Sequence, residues 1–373
     1  MTGGGAPKRL LVPNLGSTSL KYQLLELPPE AVLARGKVER IDGAAGYRKA
    51  LREVLDRHLG DGIDAIGLKA VHGGPRFRGA FLVDDDLLGA LREYTPAAPL
   101  HNPVYILAIE ILRELAPGLP LVAVFETAFH TTLPDAAASY GLPLDWRDRF
   151  GVRRYGFHGA SHRFLSRRAP ELLGRDPQDF RLVSCHLGGS SSMCAIRDGL
   201  SLDTTMGFSP QSGLENATRH GDLDPFAVLW MMDRLDMNTD QMRRQLLSAG
   251  GLAALSGIPG GDVRDLESAG TPQARLALEV FAYQVRKTIG AYAAALGGLE
   301  AVAFTGGIGE NSASLREACC RGLEFLGIEL DPVRNREQTG DRVVSRASAR
   351  VAVVAVATNE ELMVARQVYA LLS

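Results

Sequence analysis

Two short segments of the chain combine an apolar strand with a turn of small and hydroxyl-bearing residues. The first runs from Leu10 to Leu20 as LLVPNLGSTSL, and the second runs from Leu182 to Ser192 as LVSCHLGGSSS. A strand that turns tightly on glycine and serine presents backbone N–H groups and side-chain hydroxyls in one concavity, which suits phosphate oxygens. Because one such hairpin lies in each half of the chain, the sequence predicts a duplicated fold that binds a polyphosphate, as a kinase does.

Length and composition agree with an enzyme of two lobes. At 373 residues the chain exceeds the size at which one hydrophobic core stops growing. The net charge of −2 gives no general attraction to nucleic acid or to an anionic membrane. The longest apolar runs, Phe226 to Met232 and Val351 to Ala357, are too short for a membrane span, and no signal peptide is evident. None of the four cysteines shows C-x-x-C spacing, so we expect reduced thiols in a cytoplasmic protein.

Hydrophobic periodicity indicates the elements that would position these turns. Apolar alternation and short buried runs predict strands, and apolar residues at helical spacing predict helices. Asn102-Pro103 is expected to cap a helix over Val104–Leu115, with proline at its first position. Further expected elements include strands at 182–187, 192–197 and 302–305 and helices at 45–58, 85–93, 225–235 and 272–296. The alternation of strands and helices is typical of an α/β fold.

A series of short motifs, read in order, resembles the acetate kinase family. They are N14-L-G-S-T-S-L-K21, V71-H-G-G74, P99-L-H-N-P103, F125-E-T-A-F-H130, R154-Y-G-F-H-G159, C185-H-L-G188, T205-M-G-F208, T218-R219, F304-T-G-G-I-G-E-N311 and T358-N-E-E-L362. The family consists of carboxylate kinases from the superfamily that also contains sugar kinases, heat-shock chaperones and actin. The resemblance covers nearly the whole chain.

The family's architecture follows from this resemblance. It implies an α/β, two-lobed, duplicated actin-like ATPase fold of the ribonuclease H-like type, with an interdomain nucleotide cleft. Residues 1–126 plus 361–373 would form the N-terminal lobe, and residues 127–360 would form the C-terminal lobe for nucleotide binding and dimerisation. The resemblance also implies a homodimer.

Transfer of a phosphoryl group from ATP to a carboxylate needs no general base, because the nucleophile is already ionised near neutral pH. It needs cations around the γ-phosphoryl, a metal on the phosphates and exclusion of water. By resemblance the catalytic residues are Arg219, His158, Glu126 and Lys69. Without the motifs, Arg219 would be read as a solvated surface charge and His158 as a capping or core histidine. His158 and His162 lie four residues apart, but they lack the glutamate of a helical zinc motif.

The resemblance also implies binding residues for the nucleotide and its metal. The nucleotide residues would be Asn14, Ser17, Ser19, Lys21, His186, Gly188, Gly189, Ser190, Ser191, Asp262, Val263, Arg264, Gly306, Gly307, Ile308, Gly309 and Asn311. Asn14 and Glu360 would organise Mg²⁺ or Mn²⁺. Glu360 also reads as an acid in the first turn of the last helix, and the Gly306–Asn311 loop also reads as a well-capped helix terminus.

A small apolar pocket for the acid is implied at Val71, Leu100, Phe157 and Pro210. The pocket would accept the methyl end of acetate, or of another short-chain acid, since a methylene is worth only about 1–3 kcal/mol of discrimination. Ordinary core positions are the alternative interpretation, above all for Val71 and Leu100.

The chain departs from the family pattern at several of its predicted catalytic and nucleotide-binding residues. Lys69 stands where the family has arginine, and Glu126 stands where it has aspartate. Gly189-Ser190-Ser191 replaces Asn-Gly-Ser, and Val263 replaces an aromatic residue. Lysine lacks the bidentate fork of arginine. The substitutions at Lys69 and Glu126 keep the charge of each side chain but change its length or geometry, and they are open to two interpretations: they compensate for each other, or they drifted after selection on activity relaxed.

The function predicted from these features is reversible transfer of the ATP γ-phosphoryl to acetate or a similar acid, giving acetyl phosphate and ADP. The expected partners are this acid and ATP or ADP, with no nucleic acid and no membrane. A nucleotide-binding sensor or a weakly active relative is the alternative. A sugar kinase would need an aspartate base toward a hydroxyl, and the matched motifs do not belong to that branch.

Overall fold

The structure is a computed structural model that describes residues 6–16, 18–337 and 340–373. These residues divide into two units. The first contains the described residues up to Thr131 together with Gly159–Ser161 and Asn359–Ser373, and the second contains Thr132–His158 and His162–Thr358. The division predicted from the family, at 126/127 and 360/361, stays a prediction.

Each unit contains one mixed sheet of six described strands. The strands are β1 Lys8–Leu15, β2 Ser19–Leu27, β3 Ala31–Glu39, β4 Ala65–Ala70, β5 Ala80–Leu82, β6 Leu121–Phe125, β7 Arg181–His186, β8 Ser192–Arg197, β9 Leu200–Thr204, β10 Ala301–Thr305, β11 Arg342–Val343 and β12 Ala352–Ala355. The strand orders are β3-β2-β1-β4-β6-β5 and β11-β12-β10-β7-β8-β9.

The two sheets have the same topology. In unit 1, β1 pairs antiparallel with β2 and parallel with β4, and β4 pairs parallel with β6. In unit 2, β7 pairs antiparallel with β8 and parallel with β10, and β10 pairs parallel with β12. Each sheet ends in an antiparallel strand, β5 beside β6 and β11 beside β12. The duplication predicted from the two hairpins is therefore confirmed, as is the α/β class.

Helices connect the strands. They are α1 Gly43–His58, α2 Asp85–Glu93, α3 Asn102–Leu115, α4 Asp135–Ala138, α5 Leu144–Phe150, α6 Gly159–Leu172, α7 Pro225–Leu235, α8 Thr239–Ser248, α9 Gly251–Ser256, α10 Val263–Ala269, α11 Pro272–Leu296, α12 Gly306–Asn311, α13 Ala313–Cys320, α14 Pro332–Arg336 and α15 Glu360–Leu372. Short 3₁₀ segments lie at Leu59–Asp61, Glu126–Thr132, Pro259–Gly261 and Glu324–Leu326. Over the described residues, no helix combines the length and apolarity needed to cross a membrane.

One helix packs closely on each sheet. In unit 1, α15 lies over β1 and β4, and a Cβ atom at Gly67 would come within 2.8 Å of the Val368 side chain. In unit 2, the long helix α11 buries Phe281, Val285 and Ile289 in the core. The absence of a side chain at Gly67 allows the last helix of the chain to pack close to the first sheet.

The predicted cap of α3 is wrong in one detail. His101 occupies the cap position, and Asn102 is already the first helical residue. The buried Asn102 side chain donates instead to the carbonyl oxygens of His72 at 2.9 Å and Leu91 at 2.8 Å. A polar residue before proline predicts a local cap, whereas the partners of Asn102 are distant in the chain.

Candidate active site

The first hairpin turn lies between β1 and β2 in unit 1. Asn14 faces Lys21 in the strand register, and the Gly16 amide donates to the Ser19 carbonyl at 2.8 Å to close the turn. The Asn14 amide donates to Glu361 Oε1 at 2.9 Å. Lys21 is exposed, and Ser19 is half-buried. Ser17, another predicted nucleotide ligand, lies outside the described residues.

A buried ion cluster forms at the carboxyl ends of two neighbouring strands of unit 1. Lys69 lies near the end of β4, and Glu126 directly follows β6, its parallel neighbour. The Lys69 ammonium lies 3.3 Å from Glu126 Oε1 and also donates a hydrogen bond to Glu360, the first residue of α15. The exposed fractions of these side chains are 17% for Lys69, 4% for Glu126 and 12% for Glu360. Lys69 and Glu126, the two charged residues that differ from the family pattern, are therefore in direct contact.

The electrostatics of this cluster are unbalanced toward negative charge. Burial disfavours the charged form of Lys69, but the carboxylates of Glu360 and Glu126 outweigh it and hold the pKa of Lys69 well above its ordinary value. Burial raises the pKa of Glu126, against the opposing effect of Lys69. Among the described residues, the buried Glu126 Oε2 has no hydrogen-bond partner. One ammonium between two carboxylates thus leaves an acceptor oxygen available.

The second hairpin turn lies between β7 and β8 in unit 2. The Ser191 hydroxyl donates to the Gly188 carbonyl at 3.0 Å and lies 3.1 Å from the Gly188 amide. Ser191 is fully buried, so its hydroxyl already serves the turn itself. The neighbouring Ser190 hydroxyl accepts a hydrogen bond from Arg219 Nη1 at 2.9 Å. The two serines predicted to bind phosphate therefore differ, because one closes the turn and the other holds a cation.

Arg219 lies in a loop that backbone contacts hold tightly. Its guanidinium donates to the Ser190 hydroxyl and, at 3.3 Å, to the Pro210 carbonyl. A Cβ atom at Gly251, where φ is +66°, would lie 2.1 Å from the Asn216 carbonyl oxygen, so only glycine fits beneath this loop. Burial lowers the pKa of Arg219 to about 10, which leaves the side chain charged at neutral pH. Arg219 is only 8% exposed, so it is not the solvated surface charge of the alternative interpretation.

The predicted histidine lies in a histidine and serine cluster. His158 precedes α6 with a left-handed backbone at φ +56°, and its ring stacks on His186 with centroids 4.4 Å apart. Its Nδ1 lies 2.8 Å from the Ser192 hydroxyl, which also lies 2.8 Å from Nε2 of the buried His162. The i, i+4 histidines are thus linked through a serine.

A pocket of about 560 Å³ in unit 2 collects many of the predicted nucleotide residues. Eight of them line it: Gly188, Gly189, Asp262, Val263, Arg264, Gly307, Ile308 and Asn311. Asp262 caps α10 and pairs with Arg264 at 2.6 Å, and hydrogen bonds from Arg264 lower the pKa of Asp262 to about 2. The pocket therefore brings together residues that the resemblance assigns to the nucleotide, and their role in binding it stays a prediction.

The Gly306–Asn311 segment forms helix α12 beside this pocket. The Gly306 amide donates to Glu310 Oε1 at 3.0 Å, and the Ile308 and Gly309 amides donate to the Leu187 carbonyl at 2.9 and 3.1 Å. These three amides are satisfied within the protein, as the interpretation of a well-capped terminus expects. Gly307 and Asn311 are exposed on the pocket side.

The four residues predicted to bind the acid divide between the units. Val71 and Leu100 belong to unit 1, and Phe157 and Pro210 belong to unit 2. Val71 and Phe157 are buried, in keeping with core positions, and Pro210 is also buried. Leu100 is 48% exposed, so the core interpretation is wrong for this residue.

Several residues that support these sites were not predicted from the sequence. Ser184 and Ser192 form hydrogen bonds with His162. The predicted hairpin offered one signal for Ser192, because pairing of its two strands places Ser192 opposite His186. Arg316 is almost fully buried and donates to the carbonyls of Gly309 and Glu310 at 2.8 and 2.9 Å. No local pattern marked Arg316, since its partners depend on how α13 packs against α12.

Comparison with known proteins agrees with this architecture along nearly the whole chain. The model of the Acetokinase family matches residues 42–366. The chain is 42% identical to an acetate kinase of Clostridium botulinum over 390 residues, which cover 96% of this chain and 98% of the relative. It is also 42% identical to an acetate kinase of Treponema denticola, with 97% and 99% covered.

Solved structures with the same fold include two kinases of small acids. The crystal structure of Porphyromonas gingivalis acetate kinase has a TM-score of 0.87 at 35% identity and covers 98% of this chain and 100% of that one. A propionate kinase from Francisella tularensis has a TM-score of 0.87 at 32% identity and covers 96% and 98%. With the family match, the relatives and the duplicated sheets in agreement, the chain belongs to the acetokinase family.

Proposed function

We propose that this protein is a carboxylate kinase that transfers the γ-phosphoryl group of ATP reversibly to acetate or a similar short-chain acid. The observation that carries the proposal is the pocket of unit 2, where eight residues assigned to the nucleotide line about 560 Å³. Membership of the acetokinase family supports the choice of a carboxylate as acceptor.

In the proposed reaction a carboxylate oxygen attacks the γ-phosphorus, and the bond from that phosphorus to the bridging oxygen of ADP breaks. No base is required because the acid is ionised at neutral pH. Arg219 would neutralise charge on the transferring group through its guanidinium fork, and His158 would donate a hydrogen bond to it. Ser190 and the Pro210 carbonyl hold the Arg219 fork in place before substrate binds. This preorganisation supports a role in stabilising the transition state.

We assign Lys69 and Glu126 to the acid and phosphoryl side of the reaction. The Lys69 ammonium and the Glu126 carboxylate are in direct contact at 3.3 Å, so each changes the electrostatic environment of the other. This contact supports a common role for the two residues. Asn14, Ser19 and Lys21 of the first hairpin and Gly188 and Gly189 of the second are assigned to the phosphates, as the resemblance implies.

The residues present fit a requirement for Mg²⁺. No group of three or more histidine, cysteine or acidic residues could hold a metal in the described ranges. Mg²⁺ needs no such cage, because it commonly takes one or two carboxylates together with phosphate oxygens and water. Glu360, at the start of α15, and Asn14, on β1, would hold it, and the net negative charge around Lys69 favours a cation. When bound, the metal would neutralise charge on the phosphates.

We further propose a homodimer in the cytoplasm. Helix α7 has no buried residue, and its exposed side chains include Phe226 at 75%, Trp230 at 59% and Leu235 at 59%. Exposed apolar surface of this kind marks interaction sites. All four cysteines are buried free thiols, as a reducing compartment would keep them. Sedimentation of the wild type against Trp230→Glu tests the dimer, and a wild-type monomer would refute it.

The test of function is a hydroxamate assay for acyl phosphate with Mg-ATP and a panel of short acids. We expect turnover with acetate or propionate and loss of turnover in Arg219→Ala. Nucleotide binding by calorimetry without turnover on any acid would instead favour the nucleotide-binding sensor.

A further inference from the structure

A chain of four hydrogen-bonded side chains runs from the interior of unit 2 to His158. Ser184 Oγ lies 2.7 Å from His162 Nδ1, and His162 Nε2 lies 2.8 Å from Ser192 Oγ. Ser192 Oγ in turn lies 2.8 Å from His158 Nδ1. Ser184, His162 and Ser192 are all fully buried, and His158 is half-buried. We call this chain the serine–histidine relay.

Each hydroxyl and each neutral imidazole of the relay has only one hydrogen to donate, so the donors along the relay must all point in the same direction. A serine hydroxyl has one hydrogen to donate, and a neutral imidazole has one N–H and one acceptor nitrogen. Because Ser192 contacts two ring nitrogens, it donates to one and accepts from the other. Two arrangements are therefore possible when both histidines are neutral, and each assigns a different tautomer to His158.

In the first arrangement every hydrogen points toward His158. Ser184 donates to His162 Nδ1, His162 Nε2–H donates to Ser192, and Ser192 donates to His158 Nδ1. The proton of His158 is then on Nε2. In the reverse arrangement His158 carries its proton on Nδ1, and the Ser184 hydroxyl becomes an acceptor.

The environment of Ser184 selects between these arrangements. Within the described part of the chain, its hydroxyl has no hydrogen-bond partner other than His162. The reverse arrangement would therefore leave a buried hydroxyl hydrogen without an acceptor, which costs the desolvation of that group. The first arrangement leaves none of the three contacts unsatisfied.

We propose that Ser184 and His162, acting through Ser192, are positioning residues that hold neutral His158 in the tautomer protonated on Nε2. This tautomer makes Nε2 a hydrogen-bond donor, which is the form needed to stabilise the oxygens of a transferring phosphoryl group. The tautomer is a property of the protein alone. Only its use in catalysis rests on the proposed function.

The direct test is nitrogen NMR of the full-length protein labelled with ¹⁵N-histidine, at about pH 8.5, two units above the ordinary histidine pKa. Resonances of His158 are identified by their loss in His158→Asn. We expect the protonated nitrogen of His158 to be Nε2 in the wild type. A proton on Nδ1 of His158 in the wild type would overturn the relay.

The second arm uses Ser184→Ala, which removes the donor at the far end and does not touch His158. Either arrangement then leaves the His162 Nδ1 position unsatisfied, so the ratio of the two His158 tautomers should shift toward Nδ1–H by about tenfold. Ser201→Ala is the matched control, because Ser201 is an equally buried serine that bonds to Cys194 outside the relay. An unchanged ratio in Ser184→Ala would overturn the proposal.

Kinetics separate this proposal from the proposed function. If His158 acts on the phosphoryl group, Ser184→Ala should lower kcat several-fold with little change in KM for ATP, and Ser184→Thr, which keeps the hydroxyl, should restore it. A tautomer shift with unchanged kcat would overturn the positioning role. An inactive wild type whose His158 is protonated on Nε2 would refute the proposed function and support the relay.

Discussion

The two units hold their candidate cations in different ways. In unit 1, Lys69 lies between two carboxylates and is part of an ion cluster. In unit 2, Arg219 is more buried, and it donates to a hydroxyl and a carbonyl. A cation held by carboxylates has much of its charge neutralised in the resting protein, whereas a cation held by neutral acceptors keeps its charge for a ligand. The comparison indicates that Arg219 is the main source of positive charge and that Lys69 organises the acidic side chains around it.

The largest effect should come from Arg219. Replacement by alanine removes the guanidinium from a preorganised site, so we expect turnover to fall by about 10³-fold. The hydroxamate assay measures this, and His158→Ala should act in the same direction but less severely. Circular dichroism checks that the fold is retained. Near-normal turnover in Arg219→Ala would remove this residue from the site.

Lys69→Met tests the ion cluster as a structural element. The substitution leaves two largely buried carboxylates without their ammonium, so the free energy of unfolding of unit 1 should fall by about 3 kcal/mol. Chemical denaturation measures the loss. Lys49→Met is the control, because Lys49 is an exposed lysine 4.0 Å from Glu53, and such pairs contribute little. Equal effects of the two substitutions would show that the cluster adds no stability.

A double-mutant cycle measures whether Lys69 and Glu126, which differ from the family pattern, depend on each other. Because Lys69 and Glu126 are in contact, their effects should be coupled. If the two changes compensate for each other, Lys69→Arg and Glu126→Asp should each lower turnover. A side-chain displacement of about 1 Å or less should cost roughly tenfold. The double variant should then recover part of the lost turnover. Under relaxed selection each reversion raises turnover and the logarithms of the effects add. The contact favours compensation, and additive gains would contradict it.

The smallest effect should come from Asp262 at the nucleotide pocket. Asn also caps helices, so Asp262→Asn keeps the cap of α10 and removes the exposed pair with Arg264. We expect KM for ATP to rise by at most about fivefold. Asp262→Ala, which also removes the cap, should raise KM further. A large fall in kcat with unchanged KM would place Asp262 at the chemistry instead.

The same carboxylate gives a pH prediction. The pKa of Asp262 is lowered to about 2 in the folded protein. A lowered carboxyl pKa contributes stability that is present above the unfolded value of about 3.9 and is lost as the pH falls from there toward 2. The contribution of this pair should therefore be constant through neutral pH. Because Arg264 is exposed, the acid-induced loss should be small, and denaturation of Asp262→Asn against wild type at pH 7 and pH 3 measures it.

Local patterns determined much of the architecture. The strand at Ser192–Arg197 and the helices Pro225–Leu235 and Pro272–Leu296 have the bounds that were predicted. Proline at a helix start and strict hydrophobic periods are short-range signals that need no partner. The two glycine and serine turns likewise predicted the duplication, because a hairpin closes within a few residues.

Contacts between distant residues were decided only by the tertiary structure. Lys69 and Glu360 are 291 positions apart, and they meet because α15 returns to pack on the first sheet. Ser192 links His158 and His162 because β8 pairs with β7 beside α6, which turns an apparent metal spacing into a hydrogen-bonded relay. Asn102 binds His72 and Leu91 rather than its own helix. Sequence spacing specifies which residues share a strand or a helical face, whereas sheet order and helix packing decide which of those faces meet.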